Sequence, residues 1–176
     1  GGGSADASFM LRLLNEMFEL GISTAQLESY ATKLGADCPF FITSKPVYAT
    51  GIGNEFHPIE LDLSGWYIVV VKPDVFVSTK EAYSMVKPER PEKTLDEKIL
   101  HPITEWKDII SNDFEKGIFS LHPELAEIKE KLYSLGAKYA AMSGSGSALF
   151  GLFEVPIEGV EKYFDGYFCE QYELSL

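Results

Sequence analysis

The sequence predicts an α+β fold in which helices cover one face of an antiparallel sheet, with the split βαβ topology of ferredoxin-like domains. Three patterns predict this fold. Residues 66–72 are apolar and β-branched and are followed by a proline, which is typical of a buried strand. Residues 137–142 and 148–153 predict two strands around a Gly/Ser turn, and residues 123–135 before them show the apolar spacing of a helix.

The first third of the chain predicts two helices and a hairpin. Apolar side chains recur at helical spacing over residues 9–18, and Ser23 with Gln26 forms a capping box at the start of a second helix. Residues 36–42 predict a turn that enters an apolar strand, and residues 47–50 predict a second short strand. We therefore expect two antiparallel helices followed by a hairpin around Lys45-Pro46.

The remaining elements complete the sheet and its helical cover. In order we expect a helix at 78–87, a surface loop at 87–93, short helices at 95–100 and 103–110, the helix and two strands described above, a helix at 157–164 and a last strand at 167–174. This order of strands and helices is what favours the split βαβ sheet.

Composition and charge exclude several classes of protein. The 176 residues are 45% hydrophobic and 24% charged, as in a packed globular protein. With 15 Lys+Arg against 27 Asp+Glu, the formal net charge of −12 argues against a nucleic-acid partner, because a phosphate backbone needs clustered basic residues. Apolar runs are too short for a membrane span and the two cysteines lack CxxC spacing, so we expect a cytoplasmic protein without a membrane partner. The first residue is not methionine, and we expect a piece of a longer protein.

A glycine-rich stretch directly precedes the first helix and consists of Gly1, Gly2, Gly3 and Ser4. Consecutive glycines allow backbone N–H groups to turn inward around an anion, and a helix N-terminus adds further unpaired donors. The pattern suits nucleotide phosphates. An engineered linker or an ordinary helix cap would have the same sequence.

A second glycine-rich stretch joins the strands predicted on either side of it. It consists of five small residues, Ser143, Gly144, Ser145, Gly146 and Ser147. A tight hairpin needs only two such residues, and five in succession raise the entropic cost of ordering the chain without contributing side-chain packing. We therefore favour a ligand-binding loop over a plain turn.

Asp37 is a candidate catalytic base, because it follows a helix and precedes a proline that stiffens the backbone. Its carboxylate could accept a hydroxyl proton, or it could simply bind the amides of its own turn. The histidines show no metal-ligand spacing, and residues 112–115 are explained by helix capping rather than by a Mg²⁺ cluster. We therefore assign no metal-ligating residues.

Taken together and in chain order, six segments resemble the family of 4-diphosphocytidyl-2-C-methyl-D-erythritol kinases in the GHMP kinase superfamily. The resemblance extends over essentially the whole chain. The segments are Gly-Gly-Gly-Ser-Ala-Asp-Ala, Leu-Gly-Ala-Asp-Cys-Pro-Phe-Phe, Ala-Thr-Gly-Ile-Gly-Asn-Glu, Val-Lys-Pro with Val-Ser-Thr, Ser-Asn-Asp-Phe-Glu and Met-Ser-Gly-Ser-Gly-Ser.

The resemblance implies roles for the candidate residues. It implies that Gly1 to Ser4 bind the ATP phosphates, that Asp37 is the catalytic aspartate, that Ser143 to Ser147 line the cleft near the phosphates and that Thr79 lies near the nucleotide. ATP and Mg²⁺ are the implied cofactors. The family's lysine that pairs with the aspartate, and its contacts to the cytidine ring, belong to a segment before Gly1 that this sequence does not include.

The resemblance also implies a domain division and an activity. Residues 1–63, with the final strand at 167–176, would be the remainder of a nucleotide-binding domain, and residues 64–166 the GHMP kinase C-terminal domain. The implied reaction is ATP-dependent phosphorylation of the 2-hydroxyl of 4-diphosphocytidyl-2-C-methyl-D-erythritol in non-mevalonate isoprenoid synthesis, with this piece inactive alone. Alternatives are another kinase of the superfamily, acting on homoserine or a mevalonate-like acceptor, and a non-catalytic α+β binding module. The oligomeric state stays open.

Overall fold

A computed structural model describes residues 2–51, 53, 55–87 and 91–175. The chain divides into two compact units, Gly1–Leu61 and Asp62–Leu176. This division falls close to the domain boundary predicted after residue 63. Within the described residues, the helices are too short or too polar to cross a lipid bilayer.

The first unit consists of three helices and a hairpin. These elements are α1 (Gly2–Met17), α2 (Thr24–Leu34), α3 (Phe40–Thr43), β1 (Val47–Thr50) and β2 (Glu55–Pro58). The capping box predicted at the start of α2 is confirmed, because the Ser23 and Gln26 side chains each bond to the other residue's backbone. The three helices bury a small core made of Leu27, Ala31, Cys38 and Ile42.

The strand predicted within residues 36–42 is wrong, since Phe40–Thr43 forms one helical turn instead. The hairpin predicted around Lys45-Pro46 is wrong with it, because β1 pairs with β2 further along the chain. Pro39 precedes it with right-handed helical backbone angles, and Ser44 ends it at a φ of 52°. Ile42 is the buried side chain of this turn. A short apolar run does not distinguish a buried strand from a buried helical turn by its periodicity, and here the neighbouring helices favour the turn.

The second unit is a four-stranded sheet with helices. Its elements are β3 (Tyr67–Lys72), α4 (Thr79–Met85), α5 (Leu95–Lys98), α6 (Ile103–Ile109), α7 (Glu115–Leu121), α8 (Pro123–Ser134), β4 (Tyr139–Met142), β5 (Leu149–Phe153), a 3₁₀ helix (Val160–Tyr163) and β6 (Phe168–Glu173). The strand order is β4-β5-β3-β6 and every neighbouring pair is antiparallel. The predicted α+β architecture is confirmed. Residues 88–90 of the predicted surface loop lie outside the described residues.

The main core lies between α8 and one face of this sheet. Val69 and Val71 of β3 and Leu125 and Leu132 of α8 are fully buried in it. Trp106 of α6 packs edge-on against Tyr139, with ring centroids 5.7 Å apart. Because side chains alternate along a strand, Tyr139 lies on the face opposite Ala140, so α6 covers the reverse side of β4.

The final strand belongs to the second unit, which corrects the prediction that residues 167–176 join the first. β6 pairs with β3 along its whole length, from Tyr67 opposite Glu173 to Lys72 opposite Phe168. The physical reason lies in β3, of which Val69 and Val71 are fully buried. A buried central strand needs a partner on each side to satisfy its backbone, and β5 supplies only one.

Candidate functional site

The predicted phosphate-binding glycines lie at the start of α1. The helix begins earlier than predicted, so Gly2, Gly3 and Ser4 form its first turn instead of a loop ahead of it, and Gly1 lies outside the described residues. Glycine adopts helical and loop conformations alike, so the sequence pattern did not distinguish them. Backbone N–H groups in the first turn of a helix have no intrahelical acceptor and suit an anion.

Ser8 connects α1 to the turn that carries Asp37. The side chain is fully buried, and its Oγ donates a hydrogen bond to the Cys38 carbonyl oxygen at 2.6 Å. The bond therefore holds the Asp37 turn against α1. Sequence reasoning missed Ser8, although a small polar residue among the apolar positions of an amphipathic helix is a usable signal.

Asp37 lies between α2 and α3 with an exposed side chain. The next two residues, Cys38 and Pro39, are buried. A Cβ at Gly35 would lie 3.3 Å from Cys38 Sγ, so the absence of a side chain there permits the tight turn. No backbone amide of the described residues donates to the Asp37 carboxylate. The alternative that Asp37 binds the amides of its own turn is therefore not what the structure contains.

The second glycine stretch, Ser143 to Ser147, is a loop between β4 and β5. Its ends are joined by a bond from Ser143 N to the Ala148 carbonyl at 2.8 Å, and Gly146 N donates to the Ser143 carbonyl at 3.0 Å. Gly144 and Gly146 have φ of 56° and 90°, which disfavours any other residue. A Cβ at Gly146 would also lie 2.7 Å from Met142 Sδ.

This loop presents backbone donors and contacts a second predicted residue. Among the described residues, none accepts a hydrogen bond from the backbone N–H of Gly144, Ser145 or Ser147. Thr79 Oγ1 lies 3.3 Å from Ser145 Oγ, so two separately predicted residues meet. Ser147 Oγ donates to the Val75 carbonyl at 2.6 Å and anchors the far end of the loop. Free N–H groups in a glycine-rich loop are suited to an anionic ligand.

Asn112 is a further residue at this loop that sequence reasoning did not assign to the site. The predicted helix capping is wrong, because the N-cap residue of α7 is Phe114 and no side chain caps the helix there. Asn112 Oδ1 instead accepts from Phe114 N at 2.9 Å, in the turn before the helix. Its Nδ2 also donates to the carbonyl oxygens of Met142 and Gly144, both at 2.8 Å. These partners are 30 and 32 residues away, so no local pattern could reveal the contact.

Within the described parts of the chain, no three His, Cys, Asp or Glu side chains are grouped as metal ligands. Two tyrosines at β4 are instead structural. Burial raises the pKa of Tyr139, and burial likewise raises the pKa of Tyr133, whose hydroxyl bonds to both backbone groups of Ala140. These tyrosines remain protonated and support β4.

Comparison with known proteins identifies relatives over the whole chain. Residues 95–166 match the family model described as GHMP kinases C terminal. The 4-diphosphocytidyl-2-C-methyl-D-erythritol kinase of Bacteroides fragilis is 57% identical over 176 residues, covering 99% of this chain and 64% of that protein. The corresponding kinase of Parabacteroides distasonis is 57% identical over 156 residues, covering 89% of this chain and 58% of that protein. The chain thus spans less than two thirds of the length of these curated relatives.

Two solved structures of kinases are similar to this chain. The crystal structure of a 4-(cytidine 5'-diphospho)-2C-methyl-D-erythritol kinase matches with a TM-score of 0.81 and 30% identity, covering 99% of this chain and 66% of that one. A homoserine kinase from Cytophaga hutchinsonii matches with a TM-score of 0.50 and 14% identity, covering 90% and 60%. The second likeness is one of fold alone.

Proposed function

Since the chain belongs to the family of 4-diphosphocytidyl-2-C-methyl-D-erythritol kinases, within the GHMP kinases, we propose that the whole protein transfers a phosphoryl group from ATP to the 2-hydroxyl of 4-diphosphocytidyl-2-C-methyl-D-erythritol. The observation that carries this proposal is 57% identity to such a kinase along 99% of the chain. The homoserine-kinase alternative is supported only by a likeness of fold at 14% identity.

In the proposed reaction, Asp37 accepts the proton of the substrate hydroxyl. As the proton leaves, the hydroxyl oxygen forms a bond to the γ-phosphorus, and the bond from that phosphorus to the β,γ-bridging oxygen breaks to release ADP. The exposed Asp37 carboxylate, to which no described amide donates, is free to take this proton. Ser8 holds the turn in place through the Cys38 carbonyl.

Phosphoryl transfer is catalysed mainly by positioning and by neutralising charge on the phosphate oxygens. We propose that the N–H groups of Gly2, Gly3 and Ser4 bind phosphate oxygens, and that the loop from Ser143 to Ser147 contacts the nucleotide beside Thr79. A Mg²⁺ ion held by the nucleotide phosphates would supply further charge neutralisation. Backbone donors suit a protein of net charge −12, because they bind an anion without a basic surface.

The proposal is tested on the full-length protein with three acceptors in separate assays: 4-diphosphocytidyl-2-C-methyl-D-erythritol, homoserine and mevalonate. ADP release gives kcat/KM for each, and ³¹P NMR of the product identifies the phosphorylated oxygen. We expect the first acceptor to be preferred by at least about a hundredfold, with a new phosphomonoester on its 2-oxygen. Preference for another acceptor, or ADP release without a phosphorylated product, would contradict the proposal.

A further inference from the structure

The amide of Asn112 joins the end of a strand to the start of the glycine loop. Its Nδ2 donates to the carbonyl oxygens of Met142, the last residue of β4, and of Gly144, the second residue of the loop. These two carbonyls flank Ser143. One planar group with two N–H donors therefore determines how the chain leaves the strand.

Glu115, three residues after Asn112, binds the backbone N–H of Met142. Its Oε1 accepts from Met142 N at 2.8 Å, and its Oε2 accepts from Lys129 Nζ at 2.6 Å. Glu115 is only 8% exposed, so its charge needs the lysine and the amide as partners. Both the N–H and the C=O of Met142 are thereby bound by side chains of one short segment.

Met142 in turn supports the second half of the loop. Its side chain is 2% exposed, and its Sδ occupies the space next to Gly146, where a Cβ would approach to 2.7 Å. Displacing the Met142 backbone would therefore move the surface on which Gly146 rests. The N–H groups of Gly144, Ser145 and Ser147 have no acceptor among the described residues, so their direction depends on these contacts.

We propose that Asn112 is a positioning residue, which holds the loop from Ser143 to Ser147 in its ligand-binding conformation before the nucleotide arrives. The proposal rests on the proposed function, because it takes the nucleotide as the ligand of this loop. Asn112 acts through backbone carbonyls rather than through the substrate. Its contribution is to remove the entropic cost of ordering five small residues when the ligand binds.

The informative substitution is Asn112→Asp in the full-length protein. A carboxylate oxygen still accepts from Phe114 N, so the turn before α7 is kept, whereas the other oxygen replaces the N–H donors and faces two carbonyl oxygens. The matched control is Asn15→Asp, since Asn15 Nδ2 donates to the Ile22 carbonyl at 3.0 Å and its Oδ1 accepts from Ile22 N at 2.9 Å in the first unit. Asn112→Ser, which keeps an acceptor for Phe114 N, serves if the Asp variant does not fold.

Two measurements are made on each variant. Hydrogen exchange of the ligand-free protein reports the order of residues 143–147, and steady-state kinetics corrected for folded fraction report KM for ATP and kcat. For Asn112→Asp we expect loop amides to exchange about tenfold faster or more, and KM for ATP to rise about tenfold with a smaller change in kcat. For Asn15→Asp we expect neither change.

Unchanged exchange of the loop amides in Asn112→Asp would overturn the positioning role. Faster exchange with KM and kcat within about twofold of the parent would overturn it equally, because the held conformation would then not matter for ATP. A separate result decides the proposed function: the parent loop must become protected from exchange when an ATP analogue is added. Without that protection the nucleotide assignment fails, and the role of Asn112 in binding ATP is overturned with it.

Discussion

The loop from Ser143 to Ser147 requires glycine for two physical reasons, backbone strain and lack of space, and these reasons differ between Gly144 and Gly146. Both have positive φ, 56° at Gly144 and 90° at Gly146. A Cβ at Gly144 has no neighbour within 4 Å among the described residues, whereas at Gly146 it would lie 2.7 Å from Met142 Sδ and 3.6 Å from Val77 Cγ2. Alanine at the first position therefore meets backbone strain alone, and at the second it meets strain and a steric clash.

The expected loss of unfolding free energy follows from the backbone strain and the steric clash. An alanine forced into left-handed backbone costs about 1–2 kcal/mol, which is the expected loss of unfolding free energy for Gly144→Ala. Overpacking a buried site adds about 1–3 kcal/mol, so Gly146→Ala should cost about 2–5 kcal/mol. Met142 is 2% exposed and has little room to withdraw.

A double-mutant cycle in urea denaturation tests the clash directly. Met142→Val shortens the side chain and removes Sδ. In the Met142→Val background, Gly146→Ala should therefore lower the free energy of unfolding only by the cost of backbone strain. The coupling energy between the two substitutions should be about 1 kcal/mol or more. Gly144→Ala in the same background is the control and should show no coupling. Equal costs for the two alanine variants, or additivity of Gly146→Ala with Met142→Val, would refute the packing argument.

Three further predictions concern the Asp37 turn, its anchor and the sheet. In the full-length protein Asp37→Asn should lower kcat by about 10² to 10⁴ with ATP binding nearly intact. The exposed Asp165→Asn, as a control, should leave kcat unchanged. A loss of tenfold or less in steady-state assays of Asp37→Asn would show that Asp37 is not the base. Ser8→Ala should cost about 1 kcal/mol in denaturant melts, because it removes one of two hydrogen bonds to the buried Cys38 carbonyl and leaves the one from Phe41 N. The exposed Ser29→Ala should cost less than about 0.5 kcal/mol, and equal costs would contradict the anchoring role. Burial raises the pKa of Cys169 from 9.0 to about 11 and also raises the pKa of Tyr139 from 10.0. The contribution of Cys169 to stability is therefore fully present below pH 9 and that of Tyr139 below pH 10, and each is lost as the pH rises above that value. Thermal melts from pH 8 to 11 should show this fall, with a smaller fall in Cys169→Ala, and a flat profile would contradict it.

The elements that the sequence predicted well are those whose signal is local. The buried strand β3, the helix α8 and the capping box of α2 each depend on residues within one turn or one strand of each other. The strand expected over residues 36–42 failed because a short apolar run is compatible with both a strand and a helical turn. The final strand was assigned to the wrong unit because pairing with β3 joins residues about a hundred positions apart, and no local pattern carries that information.

The candidate site likewise has residues that a local sequence pattern predicts and residues that it does not. Glycines 144 and 146 could be recognised from the sequence, because their backbone angles exclude other residues locally. The side chains that direct the loop could not, since Asn112 and Glu115 reach it across 27 to 32 residues. Small residues expose backbone donors, but they also leave the chain free to adopt many conformations. A glycine loop can therefore bind an anion tightly only if something outside it limits those conformations, and here polar side chains of a distant segment do so.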